Sequence, residues 1–226
     1  MEKIRINKYL TEANYCSRRQ ADRLIEQGRV KINDRNAKLG DKVSTSDVIN
    51  VDGEDIQHGN LEKVYLAFNK PVGVICTSDP KAKDNIIDAV GYPERVYTIG
   101  RLDVISSGLI LLTNDGDVVN KILKGQNKVE KEYQVEVSRD ISEKFLKVMR
   151  SGVYINKYKT LPAKVKQTDT RAFSIVIIEG KKRQVRRMCE KLGYDVFRLK
   201  RVRIGKLELG NLKEGTYKNI SLKEVI

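Results

Sequence analysis

Apolar residues recur along this chain at two periods, and the change from one to the other marks out its elements. Ile4, Ile6, Tyr9, Leu10 and Ala13 have helical spacing and predict a first short helix, with Asn7 as its cap. Ser17-Arg18-Arg19-Gln20 has capping-box spacing, and Ala21, Leu24 and Ile25 give a second helix one apolar face until Gly28 ends it. Residues 29–33 alternate as a strand, residues 34–36 turn, and residues 47–51 form another strand before Asp52-Gly53. Residues 54–62 are polar with few apolar anchors and predict a linker, so the chain divides into a first domain at 1–60 and a second at 61–226.

In the second domain the pattern predicts strands at 64–68, 74–77 and 96–99. Lys70 falls in the turn at 69–73, a loop covers 77–84, and Ile86, Ile87, Ala89 and Val90 mark a short helix. Leu109-Ile110-Leu111-Leu112 lies between turns and reads as a strand buried on both faces, a rigid mount for the loop before it. Asp117 caps a helix whose apolar face is Val118, Val119, Ile122 and Leu123. Residues 131–137 alternate strictly, so Tyr133, Val135 and Val137 face inward, and a tyrosine there is ordinarily a core residue whose hydroxyl needs a partner. Further on come a helix at 141–149, exposed strands at 152–155 and 163–166, and a buried strand at 174–178. Val185, Met188, Cys189 and Leu192 give the 181–192 helix its apolar face, a bulged strand follows at 197–204, and residues 206–210 finish the sheet.

Composition narrows the possible chemistry. The start of the chain lacks the apolar stretch of a signal peptide and no apolar run nears the length of a membrane span, so a soluble cytoplasmic protein is expected, with no membrane partner. Cys16, Cys76 and Cys189 are odd in number and far apart, which suggests neither a disulfide framework nor a zinc site. With His58 the only histidine, a catalytic triad or histidine metal site is disfavoured, and acid-base work falls to carboxylates, Tyr, Lys or Arg. The formal net charge of +14 is one-sided: residues 1–60 carry +1, residues 61–119 carry −2 and residues 120–226 carry +15. A polyanion is therefore expected to be gripped mainly by the last third, the alternative being a solvated basic surface. Lys181, Lys182 and Arg183 open the 181–192 helix, where the macrodipole already disfavours cations, and a bound phosphate would reverse the sign of that cost.

Four stretches carry more than periodicity. Arg101 and Asp103, two apart in a turn, could by themselves be an exposed ion pair. The full run Gly100-Arg101-Leu102-Asp103-Val104-Ile105-Ser106-Ser107-Gly108, continued through Thr113-Asn114-Asp115-Gly116, resembles the signature of the bacterial ribosomal-RNA pseudouridine synthases. Asn69-Lys70-Pro71-Val72-Gly73, Lys131-Glu132-Tyr133 and Gly180 through Arg183-Gln184-Val185-Arg186-Arg187-Met188 are similar to further motifs of that family. Lys181-Lys182 departs from the pairs common in relatives. The stretches around Arg5 to Leu10, Cys16 to Asp22 and Ile25 to Asn33 resemble the small RNA-binding module of ribosomal protein S-four. Among these enzymes the chain looks closest to the large-subunit synthase F subgroup.

The resemblance implies an α+β protein, a small helix-helix-strand RNA-binding domain followed by a mixed, mainly antiparallel catalytic sheet flanked by helices. It implies Asp103 as nucleophile, Tyr133 packed on the target uracil, and Arg186 as partner of the carboxylate. Arg101 would fill the space the flipped uridine leaves or hold a phosphate. Arg18, Arg19, Arg23, Arg29 and Lys31 would meet RNA phosphates in the first domain, and Lys181, Lys182, Arg183 and Arg187 in the second. The reaction needs no metal, redox group or donor, and none is expected from a sequence without a metal cluster or nucleotide fingerprint. Ribosomal RNA, in particular 23S RNA or an assembling large subunit, is the expected partner of a monomeric enzyme. A small-subunit or tRNA uridine is the alternative target, and a non-catalytic ribosome assembly factor the alternative class.

Overall fold

The computed structural model describes residues 3–57, 62–79, 81–123 and 129–226, so His58 and residues 59–61 of the expected linker lie outside the described residues. Two compact units form, one of residues 1–63 with 114–116 and one of residues 64–113 with 117–226.

In the first unit β1 (Ile4–Arg5) leads directly into α1 (Ile6–Glu12) and pairs with β4 (Lys42–Val43). Ile4 is thus in a strand, and Asn7 does not cap: it sits inside the helix and donates through Nδ2 to Asp22 Oδ1 at 2.9 Å. The second helix, α2 (Arg18–Glu26), starts at Ser17, whose hydroxyl accepts the Gln20 N–H at 3.2 Å, one of the orphan donors of a helix start. A small antiparallel sheet follows, ordered β3 (Arg35–Asn36), β2 (Val30–Ile32), β5 (Ile49–Val51), β6 (Glu54–Asp55). Residues 35–36 and 54–55 pair as strands where turn and linker are expected, because Asn33 and Asp52 adopt left-handed backbone and fold the chain straight back. Ile6, Leu10, Ala21, Leu24, Val30, Val43 and Val51 close this core.

The second unit is built on a nine-stranded sheet. Its path runs β13 (Lys164–Asp169), β14 (Ala172–Ile177), β10 (Lys131–Val137), β15 (Val196–Ile204), β9 (Ser107–Thr113), β7 (Tyr65–Lys70), β17 (Tyr217–Asn219), with β8 (Tyr97–Ile99) beside β9 and β16 (Leu207–Glu208) beside β15. All pairings are antiparallel except β9 with β15, where Ser107 faces Lys200 and Gly108 faces Arg201. All seven residues of β9 are buried, as an aliphatic run in mid-sheet should be. Phe68, Ile110, Leu112, Val135, Phe173, Ile175 and Met188 pack one face of the sheet, and Ala67, Leu109, Leu111, Ile122 and Ile204 the other.

The helices are α3 (Ile86–Val90), α4 (Gly116–Leu123), α5 (Glu143–Ser151) and α6 (Gln184–Lys191), and a short hairpin joins β11 (Tyr154–Ile155) to β12 (Tyr158–Lys159). Residues 74–77 are not a strand: a single bridge joins Ile75 to Asn85, since Ile75 exchanges bonds with Asp84 and Ile86 instead of with a ladder. The sixth helix is shorter than its apolar spacing predicts. Arg183 caps it in left-handed backbone at φ 54°, so Lys181 and Lys182 lie in the turn before it.

Candidate active site

The loop between β8 and β9 carries Asp103, and hydrogen bonds tie down several backbone groups around that residue. The Leu102 N–H meets Cys76 Sγ at 3.4 Å, the Val104 carbonyl accepts from Gly73 N–H at 2.9 Å, and Ser106 N–H donates to the Asp103 carbonyl at 3.0 Å. Lys70, expected in a turn, is the last residue of β7 and fully buried. Its Nζ donates to the carbonyls of Pro71 at 2.7 Å and Val74 at 2.9 Å and reaches that of Val104 at 3.5 Å. Burial lowers the Lys70 pKa, and Cys76, Asp103 and Glu214 act in the opposite sense. The motif around Lys70 is therefore a brace for the Asp103 loop.

Arg186 braces the same loop from α6. Its Nη2 donates to the Ile105 carbonyl at 2.9 Å and reaches Ser106 Oγ at 3.4 Å, while Nη1 donates to the Val196 carbonyl at 2.7 Å. The expected direct pairing of Arg186 with Asp103 is not formed. Its two Nη groups are committed to three acceptors, its buried Nε has no hydrogen-bond partner among the described residues, and Asp103 acts on it only through space. Burial and then Arg183 lower the Arg186 pKa, and the Asp103 carboxylate opposes them. The half-buried Asp103 carboxylate makes no hydrogen bond or ion pair among the described residues, so its lone pairs face an open cavity.

That cavity, about 710 Å³, is large enough for a nucleotide. Asp103, Arg101, Tyr133, Lys131, Arg201 and Gln184 are among its lining. Tyr133 lies on β10 opposite Ile175 on one side and Arg201 on the other, 8% exposed, with the Arg201 guanidinium 6.0 Å from its ring centre. A register shift between Glu132 and Tyr133 sets this pairing. Gly108, at φ +101°, is what lets β9 approach: an added Cβ would stand 2.2 Å from the Arg201 carbonyl oxygen.

The cationic residues separate by environment. Arg18, Arg19, Arg23 and Lys31 in the first unit, and Arg101, Lys181 and Lys182 in the second, are exposed, and Arg187 is half-buried. Lys181 Nζ stands 5.8 Å over the Tyr158 ring. Two expected phosphate contacts are already spoken for. Arg29 donates through Nε to Asp52 at 2.8 Å, and Arg183 donates to Glu190 at 3.0 Å. Lys70, Lys131 and Arg201 escape the sequence reading. Lys70 sits in a recognisable motif, but nothing local distinguishes Arg201 from the other basic residues of its strand.

A mixed sheet that holds one carboxylate on a braced loop above a nucleotide-sized, cation-lined cavity fits an enzyme that acts on a polyanion. The sequence profile described as RNA pseudouridylate synthase matches residues 64–191, and that of the S4 domain matches residues 4–49. The chain belongs to the RNA pseudouridylate synthase family. It is an RNA pseudouridine synthase, an isomerase, with an RluF-like sequence. Dual-specificity RNA pseudouridine synthase RluF of Escherichia coli (strain K12) is 45% identical over 224 residues, which span 99% of this chain and 77% of that protein. Ribosomal large subunit pseudouridine synthase B of Bacillus subtilis (strain 168) is 37% identical over 230 residues, 98% of this chain and 93% of its own. A crystal structure of a pseudouridylate synthase superposes with a TM-score of 0.72 at 32% identity and covers 98% of both chains.

Proposed function

We propose that this enzyme converts a uridine of large-subunit ribosomal RNA to pseudouridine, with Asp103 as nucleophile and Tyr133 against the uracil, acting as a monomer in the cytoplasm. The observation that carries the assignment is the Asp103 carboxylate: it is free of donors, half-buried and fixed by its backbone, the state an anionic nucleophile needs before substrate arrives. Arg186 keeps the loop in place and supplies positive charge behind it. The large-subunit target rests on the names of the relatives in Escherichia coli and Bacillus subtilis, the first of which is called dual-specificity, so a second RNA is tested alongside. The cytoplasm fits a chain in which, among the described residues, no helix is long and apolar enough to cross a membrane.

A flipped uridine costs a few kcal/mol of stacking and pairing, which phosphate contacts must offset. The exposed Arg101, Lys181 and Lys182 at the cavity, with Arg187 nearby on α6, and Arg18, Arg19, Arg23 and Lys31 in the first unit are proposed for that role. The reaction moves the glycosidic link of the uridine from N1 to C5, and the C5 hydrogen leaves as a proton. Tritium release from RNA labelled at uracil C5 therefore reads turnover directly. Asp103→Asn should lose more than about 100-fold, or about 2.7 kcal/mol, with RNA affinity nearly unchanged. Retention of more than a hundredth of wild-type turnover overturns the role of Asp103. Mapping pseudouridine in ribosomal and transfer RNA from cells with and without the protein identifies the target.

A further inference from the structure

The wall of the cavity holds positive charge that no carboxylate pairs with among the described residues. Arg201 is 4% exposed, and its Nε donates to the Leu109 carbonyl at 2.6 Å, but its Nη2 is buried without a hydrogen-bond partner. Beside it Lys131, 9% exposed, donates from Nζ to the Val129 carbonyl at 2.9 Å, and burial followed by Arg201 lowers its pKa. The lining contains six Lys and Arg residues and one carboxylate, Asp103, which forms no ion pair with either. Burying cations without an anion is costly, so two of them against one wall mark a place where negative charge is received.

We infer that Arg201, seconded by Lys131, is a further catalytic residue of this enzyme, donating from its guanidinium to a carbonyl oxygen of the target uracil and stabilising the anion that the base becomes during the reaction. This rests on the placement of uracil against Tyr133 given above. The Arg201 guanidinium stands over the Tyr133 ring, 6.0 Å from its centre, and both side chains line the same cavity. Phosphates are the weaker fit for Arg201, because the exposed Arg101, Lys181 and Lys182 offer cations where a charged backbone can stay hydrated.

The chemistry requires such a donor whichever atom Asp103 attacks. If its carboxylate takes C1′ of the ribose, the C1′–N1 electron pair leaves with the base, which becomes an anion with charge on O2 and O4. If it adds to C6 of the base, the C5–C6 π pair moves toward C4 and O4, and the C1′–N1 bond then breaks with its electron pair going to N1. C5 then bonds to C1′, the carboxylate is released, the C5 proton goes to solvent and N1 gains a proton. The product is an isomer, and no oxidant or reductant enters. A preorganised donor aimed at the developing oxyanion acts on the rate and not on ground-state affinity.

The test compares Arg201→Lys and Arg201→Met with wild type and Asp103→Asn on large-subunit ribosomal RNA transcripts made with uridine or with 5-fluorouridine. Under single turnover, chromatography of nuclease digests follows pseudouridine from uridine and, from 5-fluorouridine, whose C5 has no proton to lose, the C5-glycosylated product that keeps its fluorine and takes up water at C6. Fluorine withdraws electrons and stabilises the base anion, so it should substitute for part of what Arg201 supplies. On uridine the Arg201 variants should be slower by about 100- to 1000-fold with RNA binding within about threefold of wild type, and on 5-fluorouridine the deficit should shrink at least tenfold. Arg201→Lys keeps a charged stem and serves should the methionine variant not fold. An equal deficit on both RNAs assigns Arg201 a structural role and overturns the inference, as does a rate within tenfold of wild type on uridine. Failure of the underlying site reading shows separately, as turnover by Asp103→Asn.

Discussion

Replacing Arg186 by methionine separates holding the loop from holding the fold. The guanidinium makes two charge-assisted bonds to carbonyls, Ile105 at 2.9 Å and Val196 at 2.7 Å, each worth about 1.5 to 3 kcal/mol, or about 3 to 6 together. Two effects reduce that loss. Ile105 is 50% exposed, so water can take over its carbonyl, and methionine avoids desolvating a cation whose pKa burial already depresses. The expected net destabilisation is about 1 to 3 kcal/mol, read from the urea midpoint at constant m. Turnover should fall much further. Among the described residues Arg186 is the one side chain bonded to the Ile105 carbonyl, two residues from Asp103, and a displacement near 1 Å at a nucleophile costs about 100-fold. Arg186→Lys keeps the charge but cannot span both carbonyls, so it should lie between. If Arg186→Met releases tritium within tenfold of wild type while stability drops as expected, the brace is not what positions Asp103.

Gly108→Ala would put a Cβ 2.2 Å from the Arg201 carbonyl at φ +101°, and should lower stability by more than about 2 kcal/mol, a loss under about 0.5 showing that β9 and β15 can part freely. Lys181 and Lys182 changed together to Gln should flatten the log-affinity against log-salt slope by about one to two units, equally for all RNAs. An unchanged slope moves the phosphate contact to the Arg18, Arg19 and Arg23 helix. Burial and then Glu190 push the Cys189 thiol up to about 12, whereas Cys16 and Cys76 are partly exposed. At pH 8 the native protein should therefore titrate two thiols and show the third only on unfolding, and three fast thiols would contradict the buried placement of α6.

Much of this enzyme is legible in its sequence because the relevant forces are local. Periodicity places α2, β9, β10 and α6, since side chains three or four apart share a helix face and alternate ones share a strand face. The Asp103 loop is visible as a polar turn before an aliphatic strand. Local reading fails where long-range pairing decides: residues 54–55 form a strand because Ile49–Val51 is there to receive them, and residues 74–77 do not because only Asn85 is.

Arg201 shows the division most clearly. In the sequence it is one of several cations alternating along β15, like Arg198 and Arg203. The fold gives those two glutamates on β10 and its flank, Glu136 at 3.1 Å for Arg198 and Glu130 and Glu132 at 3.0 and 2.9 Å for Arg203. A bulge between Glu132 and Tyr133 shifts the ladder, and the close passage of β9 at Gly108 covers the strand, so Arg201 turns inward beside Tyr133 with no carboxylate to meet. The chain by itself thus determined α2, β9, β10 and the carboxylate loop, which depend on neighbours a few residues apart. Which cations face water, which brace the loop and which are left unpaired at the cavity wall depend on register between strands about 70 to 90 residues apart, and only tertiary pairing sets that.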